Sequence, residues 1–145
     1  MTKKQMINKI DEMIDQTKTG VLTMVTKNGQ SHMRWMVPAI IKDRLDSIFT
    51  VATPKASFLS PDAYEEGVHW MLQNKNLDEV VHIRGKINVL DHPSIKMEII
   101  EAIGPNLEMF WKINYTDTEF VVLETVIETA VYYKPLKGTE KVVFS

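Results

Sequence analysis

Two segments in the first third of the chain decide how the sequence is interpreted. Residues 31–41 read SHMRWMVPAII, and residues 47–55 read SIFTVATPK. Both are rich in the β-branched and aromatic residues that favour strands. Four polar side chains in them could bind an anion: Arg34, Thr50, Thr53 and Lys55. Paired antiparallel, the segments would present a guanidinium, hydroxyls and an ammonium to one phosphate.

The first segment predicts a strand from Ser31 to about Ile41 that is apolar on both sides. Alternation places Arg34 on one side with His32 and Met36. Such a pattern is typical of a central strand, and Pro38 predicts a bulge, a strand end or an unpaired position because proline cannot donate to a ladder. A guanidinium inside an apolar strand needs a partner. Residue patterns alone leave two for Arg34, an ion pair with an acidic side chain or a bound anion.

Composition excludes several classes of protein. The 145 residues are 44% hydrophobic and 25% charged with a net charge of −2, as in an ordinary globular domain. The basic residues form no stripe for nucleic acid, and no apolar run is long enough for a membrane span. The absence of cysteine excludes disulfides and suits a cytoplasmic location. The four histidines lack the spacing typical of zinc ligands, so we expect no metal site.

Hydrophobic periodicity organises the chain as one domain, residues 1–145. An apolar stripe at helical spacing predicts a helix over 4–18 that ends before Gly20, and a barrel follows over 20–134 with a short tail over 135–145. Asn28-Gly29 between two strand patterns predicts a hairpin with a type I′ turn. The other predicted elements are strands over 20–26, 47–52, 68–73, 79–90 with a bulge at Gly85, and 120–127; a continuation or short strand over 130–133; and a second helix from 91–94 to Gly104-Pro105. The fold class is α+β, mainly β, as a six-stranded antiparallel barrel with flanking helices.

The order and spacing of short motifs resemble the pyridoxamine-5′-phosphate-oxidase-like FMN-binding split-barrel family, and most of all its general-stress-protein-26-type branch. The resemblance runs from the N-terminal helix to about Tyr133 and is carried by Gly20-Val21-Leu22, Asn28-Gly29, Arg34-Trp35-Met36, Phe49-Thr50, Thr53-Pro54-Lys55, Val80 to Val89 with Gly85, Phe120 to Leu123 and Tyr132-Tyr133.

The resemblance implies a homodimer of split barrels with two FMN molecules in clefts between the subunits. It implies that Arg34 and Lys55, helped by Thr50 and Thr53, neutralise the FMN phosphate. Three further cofactor-binding positions follow from it, the backbone groups of Trp35, Met36 and Val37 at the isoalloxazine edge. Trp111 of the other subunit is a further expected neighbour of the flavin.

Two departures from the family pattern concern the cofactor site. Threonine stands at position 53, where the family usually has serine before the lysine. The acidic crossover 56–67 replaces the family's usual helix, and it flanks the expected mouth of the site.

The functional expectation is an FMN-dependent oxidoreductase acting on a small organic substrate that the sequence does not specify, with catalytic residues unassigned. The sequence leaves two alternatives open. One is a flavin-binding stress protein without turnover. The other is a split barrel that binds a deazaflavin or haem, with His32 or His69 as the haem ligand.

Overall fold

The computed structural model describes residues 1–52, 64–111 and 120–145, with side chains omitted at 64–66 and 107–111. Its elements in chain order are α1 Lys3–Thr17, β1 Gly20–Thr26, β2 Ser31–Met36, β3 Ser47–Ala52, β4 Tyr64–Gln73, β5 Val80–Leu90, α2 Pro93–Trp111, β6 Val121–Lys134 and β7 Gly138–Val143. No helix in these ranges is long and apolar enough to cross a membrane.

Helix α1 begins with a capping box. The Thr2 hydroxyl accepts a hydrogen bond from the Gln5 backbone N–H at 3.1 Å, and the Gln5 side chain accepts one from the Thr2 backbone N–H at 2.7 Å. The helix ends at Thr17, and Lys18 caps it with a left-handed backbone whose N–H donates to the carbonyl of Ile14. Between these caps, Met6, Ile10 and Met13 are buried in the barrel core. The predicted N-terminal helix is therefore confirmed to within one residue at each end.

One antiparallel sheet forms the barrel. Its strand order is β2-β1-β4-β5-β6-β3, and β7 also pairs with β6. The two ends of this order meet where Ala39, just after β2, forms an isolated bridge with Phe49 of β3. The predicted mainly β, antiparallel split-barrel class is confirmed, with seven strands in the described residues rather than six.

The core has two parts because β3 is buried on both faces. Ile48 and Ala52 point into the barrel, where α1 and Trp70 fill the interior. The opposite face of β3 packs beneath α2, where the second cluster contains Val37, Ala39, Phe49, Val51, Ile95, Ile99, Ile103 and Val122.

Gly85 bends the long strand β5 as predicted. The pairing of β5 with β6 shifts register between Arg84 and Gly85. A Cβ atom at Gly85 would lie 2.3 Å from the carbonyl oxygen of Val126, so no side chain fits there.

The predictions for the segment from Ser31 to Ile41 need two corrections. Strand β2 stops at Met36, before Pro38, and lies at the edge of the strand order rather than in its centre. It pairs with β1, while β3 pairs with β6, so the two quoted segments meet at the Ala39–Phe49 bridge and not along a full ladder. The prediction of a central strand was wrong because the side of β2 with Met33 and Trp35 is exposed although it is apolar.

The turn between β1 and β2 is a hairpin, as predicted, but it is not type I′. Its loop has four residues, and only Gly29 has a positive φ, of 91°, since Asn28 stays in the ordinary region. The Thr26 hydroxyl accepts a hydrogen bond from the Gln30 N–H at 2.9 Å and thereby closes the wider loop.

Two further boundaries were predicted wrongly. Helix α2 continues through Gly104 and Pro105 to Trp111, with Gly104 buried, although this pair was expected to stop it. The segment 135–145, expected to be a tail, contains β7. Only Val142 is buried in β7, so this strand lacks the alternation by which a strand is predicted.

Candidate functional site

The candidate cofactor site begins on β2, at the edge of the barrel. Arg34 is exposed there and shares a crevice with His32 and Met36 of the same strand and with Leu22 and Met24 of β1. The predicted grouping of Arg34 with His32 and Met36 on one side of the strand is therefore observed. A guanidinium at this position can reach an anion without the cost of burying its charge.

The exposed ring of Trp35 lies on the opposite side of β2 from Arg34. Trp35 is 74% exposed and its strand neighbour Met33 is 72% exposed, although both are large and apolar. An exposed indole on an edge strand can pack against a planar ring or against another protein.

Thr50 holds the backbone that follows β2. Its side chain is buried, and its hydroxyl donates a hydrogen bond to the carbonyl oxygen of Val37 at 2.8 Å. Two backbone hydrogen bonds between Ala39 and Phe49, at 2.8 and 2.9 Å, fix the same segment to β3. The backbone that directly follows Trp35 and Met36 is thus attached to β3, and the flavin edge is predicted to lie along the backbone of Trp35, Met36 and Val37.

Three predicted site residues cannot be placed. Thr53 and Lys55 lie outside the described residues, as does most of the acidic crossover 56–67. Trp111 is the last residue of α2, and its side chain is outside the description. The structure places Thr50 against Val37, and it places Arg34, Trp35 and Met36 on the strand that leads into Val37. The predicted cofactor-binding roles of all eight residues stay predictions.

Two histidines form a pair on the outward side of the sheet, and the sequence analysis did not predict this pairing. The Nδ1 atom of His69 on β4 lies 2.9 Å from the Nε2 atom of His82 on β5. Their rings are stacked, with centroids 5.1 Å apart and planes inclined by 13°. Burial, together with the neighbouring His82 and Arg84, lowers the pKa of His69 below its usual value of 6.5. Finding the pair from sequence requires the β4–β5 register, because a shift of one residue would place the rings on opposite faces.

A second missed feature is a buried carboxylate, Glu124 on β6. The Ser47 hydroxyl donates to its Oε2 atom at 2.9 Å, and Arg44 and Asn88 each approach a carboxylate oxygen at 3.5 Å. Ser47, Arg44 and Glu124 line an open cleft of about 530 Å³ together with the rest of the charged turn 42–46. The signal in the sequence was a glutamate inside an otherwise apolar strand, because such a carboxylate requires partners.

Comparisons with solved structures give extensive matches. General stress protein 26 from Bacillus anthracis str. Sterne superposes with a TM-score of 0.74 at 17% identity, over 97% of this chain and 99% of that one. A Clostridium acetobutylicum protein related to general stress protein 26 of B. subtilis, of the pyridoxinephosphate oxidase family, gives 0.75 at 13% identity, over 99% of this chain and 97% of that one.

A Nostoc punctiforme protein, a pyridoxamine 5′-phosphate oxidase-related FMN binding protein, gives a TM-score of 0.68 at 10% identity, over 95% of this chain and 86% of that one. Neither a scan against protein-family models nor a search of curated proteins gives a match. The likeness is therefore one of three-dimensional structure at low identity. The chain has the split-barrel fold of the general stress protein 26 and pyridoxamine 5′-phosphate oxidase-related proteins.

Proposed function

We propose that this protein binds FMN and is a flavin-dependent oxidoreductase acting on a small organic substrate. The observation that carries the proposal is the arrangement on β2, where exposed Arg34 and Trp35 adjoin a backbone segment anchored by the Thr50–Val37 hydrogen bond. A structural neighbour from N. punctiforme that shares the fold is an FMN binding protein, which supports the same cofactor here.

Arg34, with the predicted donors Thr53 and Lys55, suits the phosphate of FMN. Arg34 would bind the phosphate through charge-assisted hydrogen bonds, and Lys55 with Thr53 would complete the anion site. Thr50 would act by holding the Val37 carbonyl, which fixes the backbone of Met36 and Val37 against which the ring edge would lie. When bound, FMN supplies the redox chemistry, while the protein positions it and excludes competing reactions.

The proposal includes a homodimer with the cofactor at the interface. Strand β2 borders a large outward surface of the sheet, which we call the open face: the outward residues of β2, β1, β4, β5 and the C-terminal half of β6. Its members include Met33, Trp35, His69, Met71, His82, Arg84, Val131 and Tyr133. Aromatic residues and methionine are enriched at protein interfaces, and an exposed tryptophan is a common anchor. A second copy meeting this face would cover Trp35 and Met33. Where it extends past the edge strand β2, it would also border the crevice of Arg34 on the other side of that strand. A cytoplasmic location stays a prediction of the cysteine-free composition.

An absorbance titration tests the cofactor. The purified protein is saturated with FMN, freed of excess and examined for the flavin bands near 450 nm. We expect Arg34→Ala and Lys55→Ala each to weaken FMN binding by about 1.5–3 kcal/mol, or roughly 10- to 150-fold. Lys137→Ala removes the same charge from the β6–β7 turn and serves as the control, with unchanged affinity expected.

Unchanged affinity in both site variants would contradict the phosphate assignment.

Turnover is tested separately by adding NADH or NADPH to the FMN-loaded protein under anaerobic conditions. Bleaching of the 450 nm band by either donor supports the oxidoreductase, whereas a flavin that neither donor reduces favours a protein that binds FMN without catalysis.

A further inference from the structure

The His69–His82 pair lies within the open face. In the sheet, His69 is the cross-strand partner of Thr23 on β1 and Arg84 on β5, and His82 is the partner of Met71 on β4 and Val131 on β6. Thr23 is in turn the partner of Met33 on β2, so the pair is one strand away from the exposed apolar residues of that edge. Any protein that covers Met33, Trp35 and Met71 must also approach these imidazoles.

The short contact between the two rings holds for only some protonation states. With a nitrogen–nitrogen distance of 2.9 Å, one ring must donate an N–H to the lone pair of the other. This requirement is met when both rings are neutral, and also when only one carries an extra proton. When both are protonated, both facing nitrogens carry hydrogens and neither accepts, so the contact must open and two positive charges must separate.

The charges around the pair make a second proton still less favourable. On β5, Arg84 and Lys86 lie on the same side of the strand, and Lys141 of β7 is the partner of Val131. The described residues of β1 and the outward residues of β2 carry no titratable group, and on β4 from Gly67 to Gln73 only His69 titrates. Glu128 of β6 lies in the register shift and is the cross-strand partner of neither histidine. The described charged groups facing the pair in the ladder are therefore all basic.

We propose that the His69–His82 pair makes self-association through the open face dependent on pH, with the dimer stable while the pair shares a hydrogen bond and weakened once both imidazoles are protonated. This inference rests on the homodimer of the proposed function. In a two-fold dimer the same face of each subunit is covered, so acidification adds positive charge to both histidine pairs within one interface that already contains the two charged Arg84 side chains. Association and proton binding then oppose each other.

The experiment measures the dimer dissociation constant of the full chain by sedimentation at pH 7.5 and pH 5.5, in the same salt. We expect a rise of at least about tenfold at pH 5.5, the factor that corresponds to one pKa unit for a single linked proton. In the double variant H69Q/H82Q, the side-chain amides can still donate and accept but cannot be charged, and we expect its dissociation constant to change less than about threefold between these pH values.

His92→Gln is the matched control, because His92 is exposed on the connection between β5 and α2, away from the open face. It should retain the full pH response of the unmodified protein. Circular dichroism at both pH values verifies that the chain stays folded, and His82→Gln alone is a second variant if the double substitution perturbs the sheet.

The outcomes separate the two levels of the proposal. A protein that is monomeric at pH 7.5 overturns the homodimer and the pH dependence together. A dimer whose dissociation constant is equal at both pH values overturns the pH dependence alone. A double variant that keeps the full response also overturns it, because other groups must then be responsible.

Discussion

The outward surface of the barrel has two regions that differ in what covers them. On β3 and the N-terminal half of β6, the covered face, Phe49, Val51 and Val122 pack under Ile95 and Ile99 of α2 and are fully buried. On the open face, Trp35 and Met33 are about three-quarters exposed. Strand β6 contributes to both, so the difference arises from the helix and not from the sheet. Among the described residues, α2 covers the first region, and no helix covers the second.

A polar strip separates these regions. Glu124 is only 8% exposed and lies beside Ser47 and Asn88, next to the covered face. Glu124 is the cross-strand partner of Phe49, so the carboxylate with its donors directly adjoins the apolar packing beneath α2. The exposed residues of the open face therefore form a surface distinct from the α2 packing.

Shortening a buried side chain of the covered face should lower the free energy of unfolding. Phe49→Ala removes a fully buried ring that contacts α2 residues, and we expect the free energy of unfolding to fall by about 3–5 kcal/mol because a cavity remains in a rigid core. Urea denaturation measures the change. A loss below about 1 kcal/mol would mean that α2 does not pack on this face in solution.

Shortening an exposed side chain of the open face should instead weaken the association of two subunits. Trp35→Ala is expected to weaken the dimer by about 2 kcal/mol or more, roughly 30-fold, since a buried tryptophan anchor is a typical interface hot spot. The stability of the dissociated chain should change by less than about 0.5 kcal/mol, because the side chain is exposed there. Sedimentation without FMN measures the first quantity, and urea denaturation at low protein concentration measures the second.

Leu136→Ala is the control for this substitution, as Leu136 is fully exposed in the β6–β7 turn and outside the open face. It should leave the dimer unchanged. Equal effects of the two substitutions would show that exposed apolar area, and not the open face, governs association.

Sequence patterns succeeded where one local cause determines the structure. The bounds of β1 and β3 were predicted to the residue, since β-branched residues are concentrated there and polar turns flank them. Gly85 was recognised as a bulge because a glycine inside a strand pattern has few other reasons to be there.

The same patterns failed where a distant partner decides the outcome. Strand β2 was predicted to be central because both of its sides are apolar, yet the side with Trp35 is exposed on the described chain. In one sequence, an apolar side that is exposed in the folded chain is indistinguishable from one that is buried in it. The histidine pair and the Ser47–Glu124 contact depend on cross-strand register, which local periodicity does not supply.

The polar strip between the two faces should give an intermediate effect. Ser47→Ala removes the 2.9 Å hydrogen bond to Glu124 and leaves a buried carboxylate with the longer contacts from Arg44 and Asn88. We expect the free energy of unfolding to fall by about 1.5 kcal/mol, as for a hydrogen bond to a charged group. Ser31→Ala, at an exposed position on β2, is the control and should change it by less than about 0.5 kcal/mol. Equal values for the two variants would mean that Glu124 is solvated.

The smallest expected effect is the pH dependence of folding from His69. Burial, His82 and Arg84 lower the pKa of His69 in the folded chain, so between its usual value of 6.5 and the lower folded value the unfolded chain binds more protons. Stability from this group is complete above pH 6.5 and is lost as the pH falls through the folded pKa. We expect His69→Gln to reduce the loss of unfolding free energy between pH 7.5 and pH 5.5, measured by urea denaturation. The protein with His69 and the His69→Gln variant are both compared in a Trp35→Ala background, so that dissociation of the dimer does not contribute to the measured free energy. His92→Gln in the same background should leave the loss unchanged, whereas an equal loss with and without His69 would place the acid sensitivity of folding on other residues.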